Sequence, residues 1–434
     1  MFETLAYIDP GTGSMLFSLF VGIATTAVFA GRALIIKLKM LLSAGKRIEN
    51  HDRTAFVIYS DHKRYWNVFK PVCDEFEKRG VDLLYLTQSQ DDPVFTAGYA
   101  HITPEFIGEG NRGMMRLNML KADIVLATTP GLDVLQWKRS RDVKWYVHVP
   151  HHAGDMSDYR MFGLVYYDAV LVTGKNQEIF LRKIEKLRDE PHKDVVTAGC
   201  LYFDPIRERI GQVESKKHEK LTVLVAPTWG KSSLLSLYGK KLLDALVATG
   251  FDIVIRPHPQ SMTAEKSLIE DLQNTYKSVK NVSWNFDNDN FDCLNRADIM
   301  MSDFSGVMFD YALLFNRPVL YTRPKNIDIA PYDAAWLDEE MWTLRVLPKI
   351  GQEFNETQFD HLKEVILKTI ESPVSQQGLD EVRAECWSEI GRSAQNVVDY
   401  LLNKEKQILQ KDRCPLERRE PAKACLKTEE ASAS

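Results

Sequence analysis

Short runs of β-branched and aromatic residues alternate with helical stretches along most of this chain, and this alternation restricts its fold more than any other feature. In the first half, the apolar runs lie at residues 55–59, 81–86, 123–127, 145–149 and 169–172. A helical stretch at 65–79 follows the first run, and Gly80 ends it. Strand and helix in regular alternation are typical of parallel βαβ units.

The same pattern begins again after residues 211–220, a polar and charged stretch that we interpret as a linker. The second series of apolar runs lies at 221–226, 252–255, 299–301 and 318–321, with helical stretches at 238–249, 264–279 and 307–315. The two series predict an α/β protein with two doubly wound, Rossmann-type domains that face a cleft. Their predicted bounds are 51–210 and 221–350, followed by helices at 353–410 and a disordered tail at 411–434.

Composition excludes several classes of protein. The 434 residues are 44% hydrophobic and 26% charged, which is ordinary globular composition. The net charge of -5 gives no basic excess for nucleic-acid binding. The six cysteines are scattered without a CxxC pair, so we predict reduced thiols rather than a disulfide framework or a zinc site.

The amino terminus contains an uncharged segment at residues 10–31. A helix of this length spans about 33 Å, enough for a hydrocarbon core of about 30 Å. Basic residues follow it at 32–50 and only two acids precede it, which predicts a single-pass anchor in the inner membrane with a cytoplasmic body. An interfacial or re-entrant helix and a soluble helix are the alternatives.

Ligands of doubly wound sheets bind at the carboxyl ends of the strands, so the residues after each apolar run are the informative ones. His151 and His152 follow the run at 145–149, and an imidazole there could act as a general base. The alternative is a locally hydrogen-bonded loop pair. After 221–226 comes a loop with Thr228 and further hydroxyls, which could bind phosphate or simply cap a helix.

Two further motifs follow strands of the second series. In Arg256-Pro257-His258-Pro259, two prolines fix the loop that carries an imidazole and a guanidinium. Ser302-Asp303-Phe304-Ser305-Gly306 precedes a helical stretch, where hydroxyls and free N–H groups favour an anion. The alternative is that Asp303 or Ser305 only caps that helix. Asp310 lies on that stretch and could hold ribose hydroxyls or pair with Arg317. These patterns together suit a pyrophosphate-bearing donor and a proton acceptor.

Taken with Phe309-Asp310-Tyr311 and Pro227-Thr228-Trp229, these motifs resemble the CDP-glycerol glycerophosphotransferase family, which builds teichoic-acid-type polymers. The resemblance is best over residues 221–325 and implies the two-domain GT-B architecture. The family has a His-Gly pair after a strand as its proposed base. Here His151 is followed by His152, so the base could be either histidine.

The resemblance implies a transferase that moves glycerol phosphate, or another polyol phosphate, from a CDP-linked donor to a hydroxyl of a glycan, lipid-linked or polymer acceptor, releasing CMP. With the predicted anchor at 10–31, this transferase would be attached to the membrane. His258 and Arg256 would hold the donor pyrophosphate. The remaining donor-site candidates are Thr228, Ser302, Asp303, Ser305, Gly306 and Asp310.

Asp303 is expected to accept hydrogen bonds from backbone or ribose groups. No acidic pair has metal-ligand spacing, so no resident metal is predicted. Whether Mg²⁺ binds together with the donor pyrophosphate is left open. A GT-B enzyme that uses a nucleotide sugar, a sugar-nucleotide epimerase and a non-catalytic GT-B scaffold are the alternatives.

Overall fold

The computed structural model describes residues 53–134, 137–213, 220–324 and 326–413. Its first sheet is entirely parallel, with strand order β3-β2-β1-β4-β5-β6-β7. The strands are β1 (Thr54–Ser60), β2 (Leu83–Thr87), β3 (Ile102–Phe106), β4 (Ala122–Ala127), β5 (Val143–His148), β6 (Ala169–Val172) and β7 (Asp194–Thr197). Strands β2 and β3 lie on one side of β1, and β4 to β7 lie on the other. Strands are therefore added outward from β1 and from β4 in opposite directions, and this reversal creates a crevice at the carboxyl ends of β1 and β4.

The second sheet repeats this design with strand order β10-β9-β8-β11-β12-β13, again all parallel. Its strands are β8 (Thr222–Val225), β9 (Asp252–Ile255), β10 (Val282–Trp284), β11 (Ile299–Ser302), β12 (Val319–Tyr321) and β13 (Gln352–Glu353). The reversal here lies between β8 and β11. The predicted α/β fold with parallel sheets is therefore confirmed, and both crevices lie where the sequence motifs fall.

Helices cover both faces of each sheet. They are α1 (Trp66–Arg79), α2 (Asn111–Asn118), α3 (Lys175–Arg188), α4 (Phe203–Gln212), α5 (Leu234–Thr249), α6 (Ser261–Ala264), α7 (Lys266–Tyr276), α8 (Phe291–Arg296), α9 (Val307–Phe309), α10 (Trp342–Ile350), α11 (Leu362–Glu371), α12 (Gln376–Cys386) and α13 (Ser393–Arg413). Helix α9 continues as a π-helical turn over Asp310–Leu314.

Alternate residues of each central strand enter different cores, as a doubly wound sheet requires. Phe56 and Ile58 of β1 pack in one core, and Val57 and Tyr59 pack in the other. Burying each such side chain contributes roughly 1.5–3 kcal/mol. These strands need apolar residues on both faces, which is why the sequence shows them as continuous apolar runs.

The last helix returns to the first sheet, although it follows the second sheet in the chain. Val397 and Val398 of α13 are fully buried in the same core as Phe56. Trp145 Nε1 of β5 donates to Tyr400 Oη over 3.1 Å. The two halves are therefore joined by this crossing as well as by the connection near residue 213.

The described part of the chain contradicts the predicted location in the inner membrane. Within 53–134, 137–213, 220–324 and 326–413, none of the helices has the length and apolarity needed to cross a bilayer. The predicted anchor at 10–31 and the basic segment at 32–50 lie outside the described residues, as do residues 414–434 of the predicted tail.

Candidate active site

Loops from both sheets meet at one cleft. His151 and His152 follow β5, and Gly306 follows β11. A Cβ atom built at Gly306 would lie 4.0 Å from the Cβ of His152, and one built at Gly154 would lie 3.7 Å from the Phe309 ring. The motif after β5 and the motif after β11 therefore face each other across this cleft.

The loop that carries the two histidines is held in place by the second half of the chain. The N–H groups of Asp333 and Ala334 donate to the carbonyls of Tyr159 and Ser157, over 2.9 and 2.8 Å. A buried ion pair joins Arg188 Nη2 to the Asp333 carboxylate over 2.5 Å. Breaking a buried pair of this kind costs about 3–5 kcal/mol, so it holds Asp333 in the position from which its N–H group contacts the loop.

His151 lies in an aromatic and hydroxyl environment. Its Nδ1 is 3.3 Å from Thr128 Oγ1, at the end of β4. Its ring centroid is 5.1 Å from that of Tyr65 and 4.8 Å from that of His152. Burial is the main cause that holds the pKa of His151 well below 6.5, and the neighbouring His152 acts in the same direction. At neutral pH this imidazole is uncharged and can accept a proton.

His152 differs from His151 in its hydrogen bonding. Its Nδ1 is buried and has no hydrogen-bond partner among the described residues. Burial lowers its pKa to about 4. Its ring packs edge-on against His151 and Tyr159, whereas His151 has the Thr128 hydroxyl beside its Nδ1.

His258 has a defined tautomer. The backbone N–H of Gln260 donates to His258 Nδ1 over 3.1 Å, so the neutral ring carries its proton on Nε2. Burial, and then the positive charge of Arg64, lowers the pKa of His258 to about 4. The neutral ring therefore presents an Nε2–H donor.

Arg64 is a cation in this cleft that the sequence analysis missed. It lies in the short 3₁₀ helix Lys63–Tyr65 that follows β1, and its charge lowers the pKa of both His151 and His258. Its Nε–H is buried and donates to no partner among the described residues. The sequence contains one signal that could have identified Arg64. It follows an apolar run, as the other candidate motifs do.

Asp303 organises the loops of the second half. Its carboxylate accepts the backbone N–H of Thr228 at 2.9 Å, of Leu234 at 2.8 Å and of Phe304 at 2.7 Å. The side chain is fully buried. Burial raises its pKa to about 6, although the N–H donors act in the opposite direction. Asp303 thus ties the loop after β8 to the loop after β11.

Replacing Asp303 with asparagine should lower the free energy of unfolding by about 2–4 kcal/mol, because an amide leaves backbone donors unpaired at about 1–3 kcal/mol each. Urea denaturation measures this loss. Asp289→Asn, at an exposed ion pair with Arg209, is the control and should change stability by less than about 1 kcal/mol. Equal stability of the Asp303 variant and the wild type would contradict the role of Asp303 in joining the two loops.

Several predicted donor-site residues use their polar atoms within the protein. Ser302 Oγ donates to the Ala226 carbonyl over 2.7 Å and is fully buried. The Arg256 guanidinium donates to Asn285 Oδ1 and to the Asp287 carbonyl. Arg256 is thereby fixed at the edge of the cleft, and the Ser302 hydroxyl joins two strand ends.

Asp310 is buried beneath the cleft. Burial raises its pKa to about 8, so the carboxyl is mostly protonated at neutral pH. Arg317, its suggested partner, donates instead to the carbonyls of Asn295 and Ala297. Within the described residues, no three His, Cys, Asp or Glu side chains are grouped so as to hold a metal ion.

The arrangement defines a class of fold. The chain has a GT-B-like α/β architecture, and the similarity to solved structures is at the level of fold. The wall teichoic acid polymerase TagF, in a CDPG soak, superimposes with a TM-score of 0.53 at 14% identity, covering 84% of this chain and 92% of that chain. MnaA of S. aureus with UDP gives 0.53 at 14%, covering 81% and 97%.

The UDP-GlcNAc 2-epimerase from Neisseria meningitidis gives a TM-score of 0.51 at 13% identity, covering 81% of this chain and all of that chain. The family model described as CDP-Glycerol:Poly(glycerophosphate) glycerophosphotransferase matches residues 191–341. This match confirms the resemblance inferred from the motifs and contains His258 and Gly306. No curated protein sequence gave a significant match.

Proposed function

We propose that this chain is a transferase that moves glycerol phosphate, or another polyol phosphate, from a CDP-linked donor to an acceptor hydroxyl and releases CMP. The observation that carries the proposal is the meeting of His151, His258 and Arg64 at one cleft between the two sheets. The family match over residues 191–341 supports a CDP-glycerol donor.

The reaction needs one proton transfer and one displacement. The acceptor oxygen forms a bond to the β-phosphorus, and the bond from that phosphorus to the bridging oxygen breaks, so CMP leaves. His151 takes the acceptor proton on Nε2 while its Nδ1–H is directed to Thr128 Oγ1. Protein groups otherwise position the reactants and stabilise charge on the transferred group.

The second half supplies the donor site in this proposal. The Nε2–H of His258 donates to a pyrophosphate oxygen, and Ser305 with the N–H groups near Gly306 binds a phosphoryl oxygen. The loop with Thr228 and the fixed guanidinium of Arg256 form its edge. Asp303 and Ser302 hold these loops in position, since their side chains form hydrogen bonds with backbone groups.

Product analysis by mass spectrometry tests the reaction. The purified chain is incubated with CDP-glycerol, CDP-ribitol and a panel of nucleotide sugars, each with a mixed glycan acceptor. We expect CMP and a product heavier by one polyol phosphate. Sugar transfer from a nucleotide sugar would replace the proposal with a glycosyltransferase, and CDP-glycerol binding without CMP release would favour a non-catalytic scaffold.

Loss of one donor-site hydrogen bond should weaken donor binding. His258→Ala and Ser305→Ala should each reduce the affinity for CDP-glycerol by about 10- to 150-fold, because a hydrogen bond to a charged group contributes roughly 1.5–3 kcal/mol. Isothermal titration measures the affinity. His361→Ala, at an exposed histidine, is the control and should bind normally.

Thermal unfolding separates this result from a structural role of Ser305. A capping serine contributes about 1 kcal/mol to stability and would lower the melting temperature when removed. Unchanged CDP-glycerol affinity in both variants, with a reduced melting temperature, would move the donor site elsewhere.

A further inference from the structure

The loop that carries the two histidines receives a second set of hydrogen bonds, from the side chain of Gln177 in the first turn of α3. Gln177 Nε2 donates to the His152 carbonyl over 3.1 Å and to the Gly154 carbonyl over 2.9 Å. Its Oε1 accepts the backbone N–H of Thr173, just after β6, over 2.9 Å. The side chain is only 1% exposed, so both N–H donors and the oxygen of the amide are used within the protein.

The surroundings of this amide allow one orientation. Two of its partners are carbonyl acceptors and the third is an N–H donor, so exchanging its oxygen and nitrogen would place like groups against each other. The donors therefore point to the histidine loop, and the acceptor points to the chain before α3. Glutamate lacks these donors, lysine and arginine lack the acceptor, and asparagine is one methylene shorter. Glutamine is thus the side chain that fits all three bonds.

Helix α3 is itself packed against the second half of the chain. Gly174 is the N-cap residue of this helix. A Cβ atom built at Gly174 would lie 2.6 Å from the Glu385 carbonyl oxygen of α12. The backbone at Gly174 is therefore in direct contact with α12, and a side chain there would push the two helices apart. Gln177 thus extends from a helix whose first turn is fixed on its neighbour.

The bonds from Gln177 hold the part of the loop that faces the second half. A Cβ atom built at Gly154 would lie 3.4 Å from His152 Nδ1 and 3.7 Å from the Phe309 ring. The two carbonyls that Gln177 holds belong to His152 and Gly154, and His151 directly precedes them. A shift of these carbonyls would therefore change the direction of both imidazoles and their distance from α9.

We propose that Gln177 is a positioning residue for the general base, and that its amide sets the direction of the two imidazoles by holding the His152 and Gly154 carbonyls. This inference rests on the proposed function, because the base belongs to that reaction. A base must lie within about 2.6–3.2 Å of the hydroxyl whose proton it takes. A misplacement of about 1 Å can cost about 10²-fold in rate, so loss of this hold acts on kcat.

Two substitutions of Gln177 separate this role from capping of α3. Gln177→Glu keeps an acceptor for the Thr173 N–H group but loses both donors, whereas Gln177→Met has a similar length and loses all three bonds. We expect both variants to lower kcat for CMP release from CDP-glycerol by about 10- to 100-fold. The Kd for CDP-glycerol, measured by isothermal titration, should stay within about twofold of the wild type. A residue that only capped α3 would leave kcat unchanged in Gln177→Glu.

Titration of the histidines by NMR gives a second measurement, which needs no turnover. Burial holds the pKa of His152 at about 4 and that of His151 well below 6.5. In Gln177→Met the released loop should admit water to both rings, so both pKa values should rise toward 6.5. Gln177→Met is the variant for this measurement, because it adds no charge near the rings.

Gln377→Glu and Gln377→Met are the matched controls. Gln377 lies exposed in the first turn of α12, where its Nε2 donates to Glu381 over 3.0 Å. The same two changes at this position should leave kcat, the Kd for CDP-glycerol and both histidine titrations as in the wild type.

The proposal is overturned if Gln177→Glu retains the kcat of the wild type, or if the histidines of Gln177→Met titrate as they do in the wild type. It is also overturned if both variants of Gln177 weaken CDP-glycerol binding as much as they lower kcat. If one variant fails to fold, the other carries the kcat measurement. Failure of the proposed function has a different signature, namely a wild type that releases no CMP, and the titration of Gln177→Met then still decides whether the amide holds the imidazoles.

Discussion

Replacing His151 with glutamine should reduce CMP release by about 10²–10⁴-fold, because removal of a general base typically costs that factor. Affinity for CDP-glycerol should stay within about twofold, since the proposed donor-binding residues follow strands of the second sheet. The physical basis is an uncharged imidazole with Nδ1 placed 3.3 Å from Thr128 Oγ1, which leaves Nε2 free to accept the acceptor proton. Single-turnover kinetics with CDP-glycerol measure the chemical step.

His152→Gln is the matched control, and its effect should be milder. It lies beside His151, but its Nδ1 has no hydrogen-bond partner among the described residues. Thr128→Val should give an intermediate loss, because it removes the group that orients His151. Equal and small losses for both histidine variants would contradict the assignment of the base.

The pH profile gives an independent measurement on the same group. A histidine with a lowered pKa stays unprotonated until the pH falls below 6.5. The acidic limb of kcat/KM should therefore lie below pH 6.5, and activity should be retained as the pH falls from 8 to 6.5. An acidic limb above pH 6.5 would show that another group controls the reaction.

Replacing Arg64 with alanine should reduce kcat by about 10²–10³-fold, which is the cost of losing one preorganised group that stabilises transition-state charge. The guanidinium lies near His151 and His258, and its Nε has no partner within the described residues. We expect its guanidinium, which lies over the Tyr65 ring, to bind an oxygen of the transferred phosphoryl group. Arg64→Lys should recover part of the activity, because it keeps the charge but not the planar fork.

A titration distinguishes this role from a purely structural one. Arg64 lowers the pKa of His258 and His151, so Arg64→Ala should raise both pKa values, as measured by NMR. Arg296→Ala is the control, since this exposed arginine faces Asp252 at 3.5 Å away from the cleft. A variant with unchanged kcat and unchanged histidine titration would exclude Arg64 from the site.

Sequence reasoning placed candidate residues correctly at strand ends but could not assign what each polar atom bonds to. Ser302 and Asp303 were candidates for ligand contact because they follow an apolar run. In the structure their oxygens bond to backbone groups of neighbouring loops. Arg64 was overlooked, because nothing in the local sequence shows that the loop after β1 lies beside loops that follow β5 and β9.

The sequence by itself determined the central strands, because a strand covered by helices on both faces must be apolar throughout. The edge strands β3, β7, β10 and β13 escaped prediction, since solvent covers part of each and their residues are mixed. Only the tertiary structure decided which strand ends are neighbours. The reversal of strand order between β1 and β4, and between β8 and β11, depends on pairing between segments far apart in the chain. That pairing brings His151, His258 and Arg64 to one cleft, and no local pattern encodes it.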